Sequence, residues 1–230
     1  MTFKQAFTST LGKKLVMGLT GIFLILFLVV HVGLNACIWA DLFYEDNGLM
    51  FNKAAHFMGS NWVPRFLEVG LFVMFFIHII QGYMITLYNN SRREVGYAVN
   101  YGNRGSKWFS RSMAWLGTLL LTFLVMHIYH FWIPSRITGL GEVAGHPELH
   151  NLFVEMDMVF ENPIIVVVYI LGCVSLAFHV AHGFHAAFRT LGVTNKKYAR
   201  GLRNFGWGFA VFISALFALM PVSFYFNWIG

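Results

Sequence analysis

Long apolar runs separated by short polar connections organise this chain. Five stretches, roughly 14–40, 64–89, 111–133, 163–189 and 205–227, are apolar and long enough to span a bilayer, which takes about 20 helical residues. Pro64 and Pro163 stand at the starts of the second and fourth stretches, where a missing backbone N–H does least harm. Pro134 is expected to end the third stretch, and Pro221, late in the fifth, to bend it. The pattern predicts an all-α membrane protein: one domain, 1–230, of five transmembrane helices in a bundle.

Composition agrees. Hydrophobic residues make up 57% of the 230 positions and charged residues 11%, where soluble domains carry about 25% charged. The basic N-terminal segment "MTFKQAFTSTLGKK" resembles the start of a secretory signal. The apolar run behind it continues to Ala40 without a small-residue cleavage pattern, so it is expected to stay as the first helix.

Charge sets the orientation. Residues 1–14 hold three basic and no acidic residues, and 41–65 hold two basic and three acidic. Residues 89–111 hold five basic and one acidic, 134–162 one basic and five acidic, and 189–206 five basic and none acidic. The Lys/Arg excess alternates from connection to connection, which predicts a cytoplasmic N-terminus and an outside C-terminus. The net charge of +6 therefore lies in three cytoplasmic segments, and it is not a nucleic-acid signal. These segments form one basic face suited to lipid headgroups and to an extrinsic partner. The two cysteines, Cys37 and Cys173, are far apart in apolar runs, which excludes an iron–sulfur cluster, a cysteine zinc site and covalent c-type haem within the chain.

Histidines carry the candidate chemistry. His31, His78, His127 and His179 lie well inside four of the five stretches. An ionisable side chain at such depth faces the bundle interior and is functional by default. Neutral imidazole is the usual haem-iron ligand. His31 is 17 residues past Lys14 and His127 is 16 past Arg111, so both are roughly 25 Å from the inner charges. His78 is 14 residues before Arg92 and His179 is 10 before Arg189, roughly 21 and 15 Å from the same face. Two levels with two histidines each is the arrangement that two bis-histidine haems require. Gly82 follows His78 by four residues, as Gly183 follows His179, which leaves room for a flat macrocycle one turn away. His130 is an alternative to His127, and His182 an alternative to His179. His185 is expected to bind a carbonyl, a propionate or a neighbouring helix. His56, His146 and His150 fall in the outer connections and are expected to be solvated.

The segments "GKKLVMGLTGIFLILFLVVHVGLN", "FIHIIQG", "LVMHIYHFW" and "FHVAHGFHAAFRTLG" resemble the five-helix, dihaem cytochrome b subunit of succinate:quinone oxidoreductases and quinol:fumarate reductases, over essentially the whole chain. The resemblance implies two haem b groups, with His31 and His127 as axial ligands of an outer haem and His78 and His179 as those of an inner one. It implies a flavoprotein subunit and an iron–sulfur subunit docked on the cytoplasmic face of a bacterial cytoplasmic membrane, with the dicarboxylate site on the partner. It also implies electron transfer to quinone, menaquinone at the family level. The extra histidines, chiefly His182, depart from the family's pattern.

Quinone reduction also needs protons, and Glu68, about 15 Å outward of His78 by helix rise, is the candidate to supply them. Propionates need cationic partners, for which Arg189, Arg111, Arg92 and Lys14 are candidates. Trp39, Trp62, Trp132 and Trp228 read as an interfacial belt. Two other readings are a dihaem quinol-linked subunit of a formate dehydrogenase or hydrogenase, and a transporter with a histidine-lined pathway.

Overall fold

Helix α1 (Thr10–Asn35) begins where the Ser9 hydroxyl accepts the Gly12 amide at 3.0 Å, a side-chain N-cap. The computed structural model describes residues 9–91, 108–193 and 195–230. In chain order α1 runs through a 3-10 turn (Ala36–Ala40) into α2 (Asp41–Tyr44), followed by α3 (Leu49–Ser60) and α4 (Trp62–Ser91). Then come α5 (Trp108–Arg111), α6 (Met113–His127), two π-helical segments (Ile128–Trp132 and Pro134–Thr138), strands β1 (Glu142–Val143) and β2 (His146–His150), α7 (Leu152–Phe160), α8 (Pro163–Thr190) and α9 (Lys196–Tyr225).

Five of these helical runs are long and apolar enough to cross a membrane: Leu11–Tyr44, Trp62–Ser91, Met113–Thr138, Pro163–Thr190 and Lys197–Tyr225. They mark a multi-pass membrane protein. Two boundaries differ from the hydropathy pattern. Pro134 does not end the third span, because the helix widens to π geometry from Ile128 and continues to Thr138. The wider turn accommodates a proline ring that an α-helical carbonyl would obstruct. The fifth helix starts nine residues before 205, at Lys196, capped by the Asn195 side chain on Lys197 N at 3.0 Å. Its first turns are basic and invisible to hydropathy, but Lys, Ala, Arg and Leu are good helix formers. Pro221 lies inside α9, fully buried, and the helix continues past it to Tyr225.

Helix α8 is the hub, packed against α1, α6 and α9. Asn162 caps it, with Pro163 in the first turn. Helix α4 lies against α1 and makes a lighter contact with α6. Gln81 is its buried residue, while Phe66, Leu67 and Leu87 project outward, as suits a lipid-facing helix.

The main core sits at the end bearing the acid-rich connections, the end that the charge pattern predicts to be the outer one. There Ile38, Phe51, Phe153, Phe160, Tyr169 and Phe224 are buried together. The outer connections are folded rather than loose. A two-stranded antiparallel hairpin, β1–β2, is a small departure from an all-α chain. Asn52, fully buried, accepts the amides of Leu152 (3.0 Å) and Phe153 (3.1 Å) and donates to Asn151 Oδ1 (3.1 Å), tying α3 to the start of α7.

Candidate functional site

The four predicted histidines meet in two pairs across the helices. His31 on α1 faces His127 at the end of α6, with ring centres 5.8 Å apart and ring planes at 88°. His78 on α4 faces His179 on α8, at 6.2 Å and 63°. All four are half-buried.

A repeat that hydropathy does not display builds this arrangement. Helix α1 carries "FLVVH" and α6 carries "FLVMH", each with a glycine ten residues before its histidine, Gly21 and Gly117. Phe27 stacks on His31 at 5.1 Å and Phe123 on His127 at 5.7 Å, as neighbours four apart on one helix face do. A Cβ on Gly21 would lie 3.5 Å from His78 Cε1, and one on Gly117 would lie 3.6 Å from His179 Cε1. Each helix of the outer pair thus passes a glycine beside the inner-pair histidine of its neighbour. Ten residues of α-helix separate the two levels by about 15 Å.

Hydrogen bonds select the tautomer of one ring. Thr20 has a single hydroxyl hydrogen, which it gives to Val16 O at 2.8 Å. Its oxygen also lies 3.0 Å from His78 Nδ1 and therefore accepts from Nδ1–H. His78 Nε2 is left as a bare lone pair, the form a metal-binding imidazole needs. The outer pair is set differently. Asn35 Nδ2 donates to His31 O at 2.8 Å and lies 3.2 Å from His31 Nδ1. Ligation through His31 Nε2 requires the amide oxygen at Nδ1, a half-turn of Asn35 that gives up the bond to His31 O. The Nδ1 atoms of His127 and His179 are buried with no hydrogen-bond partner. An orphaned polar atom at this depth is costly, about 1–3 kcal/mol, so these rings are not arranged as satisfied packing residues.

The pairs fit a metal held between two imidazoles. Two metal–nitrogen bonds of about 2.0–2.1 Å, plus about 1.1 Å from each nitrogen to its ring centre, need roughly 6.3 Å between centres. The observed 6.2 and 5.8 Å are close to that span. Among the described residues no three His, Cys, Asp or Glu side chains converge as in a closed zinc site.

The alternative ligands occupy other positions. His130 lies in the π segment, where each residue advances less around the axis, and its Nδ1 meets Tyr169 Oη at 3.0 Å with the rings stacked. His127, not His130, makes the ring contact with His31. His179 is brought against His78, while His182 and His185 lie further along α8, half-buried, with His185 near Arg189 and Arg203. Gly183 opens onto free space, and a Cβ on Gly82 would meet only Met17, at an ordinary 3.8 Å. The glycines close to the paired rings are Gly21 and Gly117, neither of which follows a histidine by four residues. Their signal was the repeated Gly–Phe–His spacing. Arg189, Lys14 and Arg111 are exposed at the inner end, and Arg92 lies outside the described residues.

Glu68 is the one acidic residue inside a predicted span. It accepts Trp132 Nε1 at 2.6 Å, and the guanidiniums of Arg136 and Arg65 lie at 3.5 and 3.6 Å. The wide π turn places Trp132 and Arg136 there together. In the outer connections, backbone hydrogen bonding and His146 at 3.2 Å hold Glu148 below the usual carboxylate range. His56 and His146 are half-buried, whereas His150 is exposed, as expected, at the rim of a cavity it shares with His56. No family model, curated protein or solved structure matches the chain.

Proposed function

We propose that this chain is the dihaem cytochrome b membrane anchor of a succinate:quinone oxidoreductase, connecting a docked iron–sulfur subunit to a membrane quinone. The observation that carries the reading is the two imidazole pairs, His31–His127 and His78–His179, set across helices on two levels. A haem b at each pair would be held by the two imidazoles and would supply one-electron transfer rather than oxygen activation.

The chain's own residues have separable tasks. His31 and His127 hold the outer group, and His78 and His179 the inner one. Thr20 fixes the tautomer and ring plane of His78. Gly21 and Gly117 keep α1 and α6 close to the inner rings, while Phe27 and Phe123 cover the outer rings and exclude water. Glu68, fixed at the outer end by Trp132, is the group that holds a proton for the reduced quinone, for which menaquinone is expected. At the inner end Arg189, Arg111 and Lys14 are cationic partners for propionates. The basic connections receive the flavoprotein and iron–sulfur subunits. The same arrangement run in reverse is that of a quinol:fumarate reductase.

A dithionite-reduced minus oxidised spectrum with a pyridine haemochrome count tests the reading. Two b haems per chain are expected; finding none removes it. Identifying the extrinsic subunits that co-purify distinguishes this assignment from a formate dehydrogenase or hydrogenase anchor.

A further inference from the structure

Three basic residues belong to the outer connections: Lys53, Arg65 and Arg136. Topology disfavours positive charge on this side, yet two of the three line a single cavity of about 250 Å³ between the end of α3, the start of α4 and the widened end of the third span. Its wall also carries His56, His150, Ser60 and Ser135. The lining is rich in donors and holds no carboxylate, and Glu68, which meets its two arginines, is already held. Arg136 gives Glu68 its Nε–H, and Arg65 meets the same carboxylate through Nη1. A guanidinium has five N–H donors, so most of those on Arg136 and Arg65 have no protein acceptor among the described residues. Arg136 is nevertheless only 22% exposed. Glu148, whose charge reaches His56, is engaged with His146.

The seat of Arg136 is specific. A Cβ on Gly59 would lie 2.8 Å from Arg136 Nη1, so the guanidinium rests against bare backbone. The depth is informative too. Trp62, 78% exposed, and Trp132 lie at the same ends of α4 and the third span, which is where indole side chains mark the headgroup layer.

We infer that this cavity binds the phosphate group of a membrane phospholipid. Arginine forks match phosphate oxygens in geometry as well as charge, and the imidazoles and hydroxyls supply the neutral donors around them. The space takes a phosphate together with several waters, a water's share of liquid volume being about 30 Å³. The inference is independent of the histidine pairs and of any redox role.

The test uses the full chain, purified in a non-ionic detergent and stripped of lipid, titrated with dihexanoyl-phosphatidylglycerol and read by native mass spectrometry. One saturable lipid is expected. Its Kd should rise at least about tenfold in Arg136→Gln and in Arg65→Gln, the scale of one lost charge-assisted hydrogen bond. Gly59→Ala should weaken binding several-fold with no change of charge, by displacing the guanidinium; it carries the test if an arginine variant fails to fold. Equal binding by wild type and all three variants overturns the site. Inorganic phosphate binding as tightly as the lipid overturns the lipid assignment. Displacement of the lipid by 2,3-dimethyl-1,4-naphthoquinone reassigns the cavity to quinone and overturns it as well.

Discussion

The hydroxyl of Thr20 accepts the Nδ1 hydrogen of His78 at 3.0 Å, joining residues 58 positions apart on two membrane helices. Thr20 is itself buried, at 4% exposure, and its own hydrogen is committed to Val16 O. A buried threonine in this position is an orienting group for an imidazole. On the proposed dihaem reading, Thr20→Val, of similar volume, removes the acceptor and should lower retention of the inner haem by about 10–100-fold, the range for loss of an outer-shell partner. Thr20→Ser should restore it. Haem content and a redox titration of the inner centre check this, with the outer centre as internal reference.

The two levels are about 15 Å apart along α1 and α6, and each has its own pair of rings. With one haem at each pair, as proposed, His31→Ala or His127→Ala should therefore abolish the outer haem and leave the inner one. A haemochrome count of one per chain is the expected reading. Loss of both from a stably folded His127→Ala protein refutes the independence of the two sites.

Glu68 lies at the outer end and touches none of the four paired rings. Glu68→Gln keeps an acceptor for Trp132 but removes the ionisable group. Quinone turnover should fall by about 100-fold or more, as for a general acid–base residue, with the haem count unchanged. Turnover within about twofold of wild type would remove Glu68 from proton transfer.

Asn52 satisfies two backbone amides of α7 from inside the outer core, at zero exposure. Asn52→Ala leaves those amides without an acceptor and should cost about 2–4 kcal/mol. Thermal unfolding in detergent reads this directly. Haem content at low temperature should be little changed, because α3 and α7 contribute none of the paired histidines.

Asp157, in α7 outside the spans, has its carboxyl pushed above the usual range, first by burial and then by Glu161. The folded chain therefore holds this proton more tightly than the unfolded chain does. The resulting stability is complete below the ordinary carboxylate value of about 3.9 and is lost as pH rises through the elevated one. Asp157→Asn should accordingly melt higher than wild type at about pH 7, with the advantage vanishing towards about pH 3. A melting difference independent of pH would contradict this.

Much of the bundle can be read by counting. Helix rise is fixed, so distance from the inner charges groups His31 with His127 and His78 with His179, and these are the rings found in contact. Counting fails where helix geometry changes. His127 and His130 share a face on an α-helix, and only the π segment from Ile128 turns His130 to Tyr169 and carries the chain past Pro134. The basic start of α9 is hidden because hydropathy records where a helix meets lipid, not where it begins. The glycines at 82 and 183 attract notice by sitting near histidines on their own helices, but close approach is made by glycines on neighbouring helices, Gly21 and Gly117.

The sequence by itself determined the five spans, their alternating charge and the depth of each histidine, because bilayer thickness and helix rise act along one dimension. Tertiary structure alone decided which imidazole nitrogen is left bare, which residues crowd each ring, and that Arg65 and Arg136 line one cavity while both meeting Glu68. Those outcomes depend on the rotation of each helix about its axis and on contacts between residues far apart in the chain, such as His78 and His179, which packing among helices sets and no single segment contains.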